Sequence, residues 1–99
     1  MIAVIKEDTG VPATVRYDPG PDVLYIERGV QIPSNKQDRL RGIALWFAES
    51  NDEPSGVTVT GFAQNGWHRE LPALSQIVGS HLAADPMEVM FAIQRATKD

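Results

Sequence analysis

Short alternating apolar and polar positions fill the first sixty-odd residues, and the period then lengthens towards that of a helix. Ile2 to Ile5 reads as a strand, closed by Asp8, Thr9 and Gly10, with Pro12 resetting the backbone. Thr14 to Tyr17 alternates and runs into Asp18-Pro19-Gly20-Pro21-Asp22, where two prolines fix φ and Gly20 admits positive φ. Val23 to Arg28 follows, with Val23 and Tyr25 on one face and Leu24 and Ile26 on the other, so residues 14 to 28 predict a hairpin. Val30 and Ile32 extend this strand or form an edge piece ended by Pro33, and Ser34 to Arg41 reads as a polar connection.

Gly42 to Ala48 is apolar on both sides, Ile43, Leu45 and Phe47 against Ala44, Trp46 and Ala48, as expected of a central strand covered on both faces. Glu49 to Gly56 is rich in turn formers and closes a second hairpin, whose return strand alternates Val57, Val59 and Gly61 with Thr58, Thr60 and Phe62. Beyond Asn65-Gly66, the residues Leu71, Leu74, Ile77 and Val78 share one helical face; Pro72 suits its first turn, and Gly79 is the expected end. Asp85-Pro86-Met87-Glu88 combines a capping carboxylate, a proline that gives up no amide and an acid at the capping-box position, predicting a helix from Pro86 to Thr97. Val89, Ala92, Ile93 and Ala96 form one stripe of it, and Met87, Met90 and Phe91 carry apolar character round to the opposite side.

The expected architecture is α+β: a curved antiparallel sheet of four to five strands, built from two hairpins, followed by two C-terminal helices packed on one face. The 99 residues are expected to form one domain, 1–99, with no linker or internal repeat. Two short helices cover one face of such a sheet. The second face, with Trp46, then needs a second copy, another protein, a ligand, or the chain's own N-terminal strand and loops to dry it.

Composition narrows the function classes. Nine Lys plus Arg against thirteen Asp plus Glu give a net charge of -4, which argues against nucleic acid and anionic lipid. The basic residues Lys36, Arg39 and Arg41 are interrupted by Asp38 and lack interleaved aromatics. The longest apolar run, Ile43 to Ala48, has six residues, against about 20 for a bilayer span. Lys6, Glu7 and Asp8 cut short the apolar N-terminus, and with no cysteine in the chain a cytoplasmic location is expected.

Reaction chemistry is sparse, and we expect no catalytic residue, metal site or cofactor. His68 and His81, thirteen positions apart, read as loop histidines flanking a helix rather than as a base or metal-ligand pair assisted by Glu70 or Asp85. Ser80 beside His81 is not a dyad on spacing alone. Asp18 and Asp22 flank one turn, where capping accounts for both without a shared cation. Glu49, Asp52 and Glu53 form a solvated hairpin tip.

The run Tyr17-Asp18-Pro19-Gly20-Pro21-Asp22-Val23-Leu24-Tyr25-Ile26, followed by Gly42 to Phe47 and Gly56 to Phe62, resembles a family of small, mostly prokaryotic proteins of unassigned function. The family has a similar Tyr-Asp-Pro turn and Asp-x-Leu-Tyr-Ile strand, and the resemblance spans residues 14 to 62. It implies a β-rich fold and an accessory, toxin–antitoxin-like gene context. The helical C-terminal third departs from the family pattern.

Three functions are expected from these features. The first is a non-catalytic interaction module that self-associates as a homodimer or larger through excess apolar surface, with Trp46, Met87 and Phe91 as contacts. The second is a small-molecule-binding protein or small enzyme with a pocket lined by Trp46, Trp67, His68 and Glu70. The third is an antitoxin-like partner of another small protein.

Overall fold

A computed structural model of the chain describes residues 2–5, 13–28, 36–47 and 53–98. Among these lie the strands β1 (Ile2–Ile5), β2 (Ala13–Asp18), β3 (Val23–Arg28), β4 (Lys36–Leu40), β5 (Ile43–Phe47) and β6 (Pro54–Thr60). A 3₁₀ turn at Trp67–Arg69 leads to the helices α1 (Leu71–Leu82) and α2 (Pro86–Thr97). The strands form one open antiparallel sheet in the order β1-β2-β3-β6-β5-β4. Its body is the four strands of the two expected hairpins, flanked by β1 on one edge and β4 on the other.

Register decides which residues meet. Val15, Ile26, Val57 and Leu45 align across β2, β3, β6 and β5, as do Tyr17, Leu24, Val59 and Ile43. These two rows face the helices. Val15, Leu24, Ile26, Val57, Val59 and Ile43 are buried in one cluster with Leu74, Val78 and Leu82 of α1 and Val89, Ala92, Ile93 and Ala96 of α2. Each large aliphatic side chain so enclosed contributes about 1.5–3 kcal/mol, which is what holds two short helices on the sheet. Within this layer α2 lies over β1 and β2, and α1 lies against β6 and α2.

The N-terminal strand joins the sheet by pairing antiparallel with β2. A polar connection had been expected at 34–41, but Lys36–Leu40 is a strand paired antiparallel with β5. The reason is the turn between them, where Arg41 and Gly42 have φ of 47° and 84°. Positive φ at both central residues is the mirror-image hairpin turn whose twist matches that of paired strands. Likewise, β6 begins at Pro54, inside the segment read as a loop, opposite Phe47 and beside an irregularity in the register at Trp46 and Phe47. The expected extension at Val30, Ile32 and Pro33, and Ala48 and the loop residues Glu49 and Asp52, lie outside the described residues.

Helix α2 has the expected bounds, and the Asp85 carboxylate accepts from the Met87 amide at 3.0 Å. Helix α1 runs past Gly79 to Leu82 and ends at Ala83, whose φ is 56°. Gly79 serves another purpose. A side-chain carbon there would meet the Ala84 carbonyl oxygen at 2.7 Å and Pro86 Cγ at 3.2 Å, so its bareness lets the link to α2 fold back tightly. His81 consequently lies in the last turn of α1 and His68 in the 3₁₀ turn, rather than in loops.

Candidate functional site: the helix-free face of the sheet

Residues between those of the core rows occupy the opposite face of the sheet. Arg16, Tyr25, Thr58 and Ala44 align across β2, β3, β6 and β5, flanked by Asp18, Val23 and Thr60 on one side and by Glu27, Gly56 and Trp46 on the other. Among the described residues, no helix covers this face. Tyr25 is half-buried beneath the Arg16 guanidinium, whose carbon lies 4.2 Å from the ring centroid. Trp46 is half-buried, and its indole nitrogen donates to the Thr58 hydroxyl at 2.9 Å. Because Trp46 stands opposite Gly56, no side chain on the neighbouring strand obstructs the indole as it reaches along the sheet to Thr58.

Beside Trp46 a cleft of about 500 Å³ is lined by Pro21, Gly42, Ala44, Trp46, Thr58, Thr60, Gly61, Gln64 and Asn65. Its wall is the turn formed by residues 61–66, and Asp22 holds that turn in place. The Asp22 carbonyl accepts from the amides of Gly61 and Phe62 at 2.9 and 3.1 Å. Its carboxylate accepts from the next two amides, Ala63 and Gln64, both at 3.0 Å, and from the Tyr17 hydroxyl at 2.7 Å. Desolvation would raise the Asp22 carboxyl pKa, but the Ala63 amide, the Tyr17 hydroxyl and the Gln64 amide outweigh it and hold the group below its ordinary value, with a smaller contribution from the charge of His68. Asp22 therefore acts as a turn cap, and its oxygens are already satisfied by protein donors. Asn65 closes the wall by donating to the Thr60 and Arg41 carbonyls at 3.1 and 3.4 Å.

Trp67, His68 and Glu70, expected beside Trp46, are placed elsewhere. Trp67 is only 2% exposed and belongs to the core on the helical side of the sheet. Its indole nitrogen donates to the Arg41 carbonyl at 3.0 Å, and the Arg41 guanidinium lies over its ring at 4.1 Å. Arg41 also bonds Glu70 at 2.7 Å and the Asn65 carbonyl at 2.8 Å. That hydrogen bond to Glu70 raises the Arg41 pKa and lowers that of Glu70, so each charge is answered by the other. His68 is exposed, with its ring 6.5 Å from that of Phe62. None of these three residues lines the cleft.

The other histidine is also engaged. The His81 Nε2 is 3.1 Å from the Trp46 carbonyl, and its ring meets that of Phe47 edge-on at 4.9 Å. Among the described residues, no group of three or more His, Cys, Asp or Glu side chains is placed to hold a metal ion. No described helix is long and apolar enough to cross a membrane.

The remaining expected contacts, Met87 and Phe91, are the exposed large hydrophobics among the described residues, at 54% and 48%. They lie on the outer side of α2, over the β1 end of the helical layer, whereas Trp46 is on the other face of the sheet towards β4. One flat interface cannot hold all three. Gln64 and Asn65 are residues of the cleft that the sequence reading missed, Asn65-Gly66 having served only to mark where the hydrophobic period changes. Their signal is a carboxamide pair four residues beyond the end of β6, just before Gly66.

No protein-family model, curated protein or solved structure matches the chain.

Proposed function

We propose that the protein is a non-catalytic interaction module that self-associates through the outer surface of α2. The observation that carries this reading is the exposure of Met87 and Phe91 one helical turn apart, on a helix whose opposite stripe is fully enclosed. Met87, Phe91 and Gln94, spaced by four and three residues, form one exposed seam of α2, and Glu88 and Arg95 flank it. Spacing of this kind suits pairing with a second helix.

A two-fold axis passing near Phe91, close to the centre of the twelve-residue helix, would set two copies of α2 antiparallel. Phe91 would then meet its counterpart, and Glu88 of each copy would approach Arg95 of the other, so charge complements apolar contact. A helix of this length presents about 18 Å of seam, which places the interface at the small end of the range for specific association. Dissociation in the micromolar range is the corresponding expectation.

Light scattering coupled to size exclusion, run from about 10 µM to about 1 mM, tests the reading. The mass should rise from monomer towards dimer, and Phe91→Glu should abolish the rise while leaving the denaturation midpoint nearly unchanged. A monomer at every concentration, or a variant that pairs as tightly as the parent, would overturn it.

A further inference from the structure

Apart from the helix surface, the cleft beside Trp46 has a chemistry of its own. We propose that it is a binding site for an uncharged, polyhydroxylated ligand, a saccharide, which stacks on the Trp46 indole and is held by Thr58, Thr60, Gln64 and Asn65.

Four observations converge on that class. First, among the described residues the lining contains no ionisable side chain. In a protein with a net charge of -4, these described side chains give an anion or cation no counter-charge, whereas an uncharged ligand has no ionic charge to desolvate and its hydroxyls can exchange water for the polar groups of the cleft. Second, the aromatic surface is pre-set. The bond from the indole nitrogen to Thr58 fixes the ring, so ordering it costs the ligand nothing. The negative face of such a ring attracts the polarised C–H edge of a sugar.

Third, the surrounding polar groups both donate and accept. The Thr58 hydroxyl accepts from Trp46 and keeps its own proton to give. Asn65 uses its amide nitrogen on the Thr60 and Arg41 carbonyls, which leaves its carboxamide oxygen as an acceptor. Gln64 is exposed, and among the described residues nothing engages its carboxamide, although its backbone amide is fixed by Asp22. A sugar hydroxyl is likewise both donor and acceptor. Fourth, the volume of about 500 Å³ falls within the usual range for small-ligand sites and exceeds a single hexose, which favours two linked rings.

The floor of the cleft is glycine by necessity. A side-chain carbon on Gly61 would lie 2.8 Å from the Asn65 amide nitrogen, and one on Gly42 would run into the Thr60 carbonyl. Bare backbone at both positions lets Asn65 settle against the sheet and keeps the space above it open.

The test is an amide and indole NMR titration of the full chain with maltose, cellobiose and chitobiose as neutral probes, each to about 10 mM, and with glucose 6-phosphate as a charged control. Saturable shifts confined to the Trp46 indole, Thr58, Gln64 and Asn65 signals with at least one neutral disaccharide, and not with the phosphate, are expected. Gln64→Ala, on an exposed side chain, should weaken binding at least about fivefold, and Trp46→Phe should retain part of the affinity that Trp46→Ala loses. Absence of shifts with every neutral probe, shifts centred elsewhere, a preference for the charged sugar, or perturbation of these signals only by self-association would overturn the assignment. Because Phe91→Glu leaves the cleft untouched, repeating the titration on that variant separates this result from the oligomeric state.

Discussion

Tyr17 and Asp22 close the β2–β3 turn through a 2.7 Å bond from phenol to carboxylate, and that carboxylate also receives the amides of Ala63 and Gln64 some forty residues further on. Hydrogen bonds to a charged acceptor contribute about 1.5–3 kcal/mol. Asp22→Ala should therefore lower stability by about 2 kcal/mol, measured by urea unfolding at neutral pH. Asp22→Asn tolerates the φ of 58° but loses the charge.

The same carboxylate sets a pH dependence. Its pKa is lower in the folded protein than in the unfolded chain, so its contribution is complete above the ordinary aspartate value of about 3.9 and is lost as pH falls through the lower folded value. Unfolding curves collected from neutral pH down to about pH 2.5 should show a smaller acid loss in Asp22→Asn than in the parent. Parallel curves would refute this role.

Arg41 roofs Trp67 by laying its guanidinium over the ring while Glu70 holds the outer edge. In a Trp46→Phe background Trp67 is the single tryptophan of the chain, so its emission reports on that roof alone. Arg41→Ala should shift the emission to longer wavelength as water reaches the ring. Glu70→Gln, which leaves the guanidinium over the indole, should shift it much less. An emission maximum that ignores the loss of Arg41 would show that the guanidinium shields nothing.

Gly79 and Ser75 are one helical turn apart on the enclosed side of α1, and substituting alanine should act on them in opposite senses. Helix propensity alone would favour Gly79→Ala by about 1 kcal/mol. The new methyl would press on the Ala84 carbonyl and Pro86, so the net change should be destabilising by about 1–2 kcal/mol, read as a lower thermal midpoint.

Ser75 is 1% exposed, and among the described residues its hydroxyl has no hydrogen-bond partner. An unsatisfied buried hydroxyl costs about 1–3 kcal/mol, so Ser75→Ala should stabilise the protein by about 1 kcal/mol. A loss of stability would mean that the hydroxyl is satisfied in solution.

What could be read from the chain followed from strong local signals. The Pro19-Gly20-Pro21 turn located the first hairpin, and Asp85-Pro86 located the start of α2, because each rests on a backbone restriction that acts over a few residues. The β4 edge was hidden because Arg41 occupies a positive-φ position usually given to Asn, Asp or Gly; it is held there by partners 24 to 29 residues away. Gly79 misled for a related reason. A glycine needed for close approach looks the same in sequence as one that ends a helix, and only the position of Ala84 and Pro86 separates the two. For the site, Trp46 was recognisable from the two-sided apolar strand. Its grouping with Trp67, His68 and Glu70 was not, since the face on which the 3₁₀ turn delivers those residues depends on how residues 61–66 cross the end of the sheet.

Four consecutive amides from Gly61 to Gln64 converge on Asp22, so the rim that carries Gln64 cannot loosen without releasing the first hairpin. These two stretches should behave as one cooperative unit in hydrogen exchange, with Tyr17 to Tyr25 and Gly61 to Asn65 opening at a common free energy. Anything that grips the rim would then slow exchange across β2 and β3 without touching either strand.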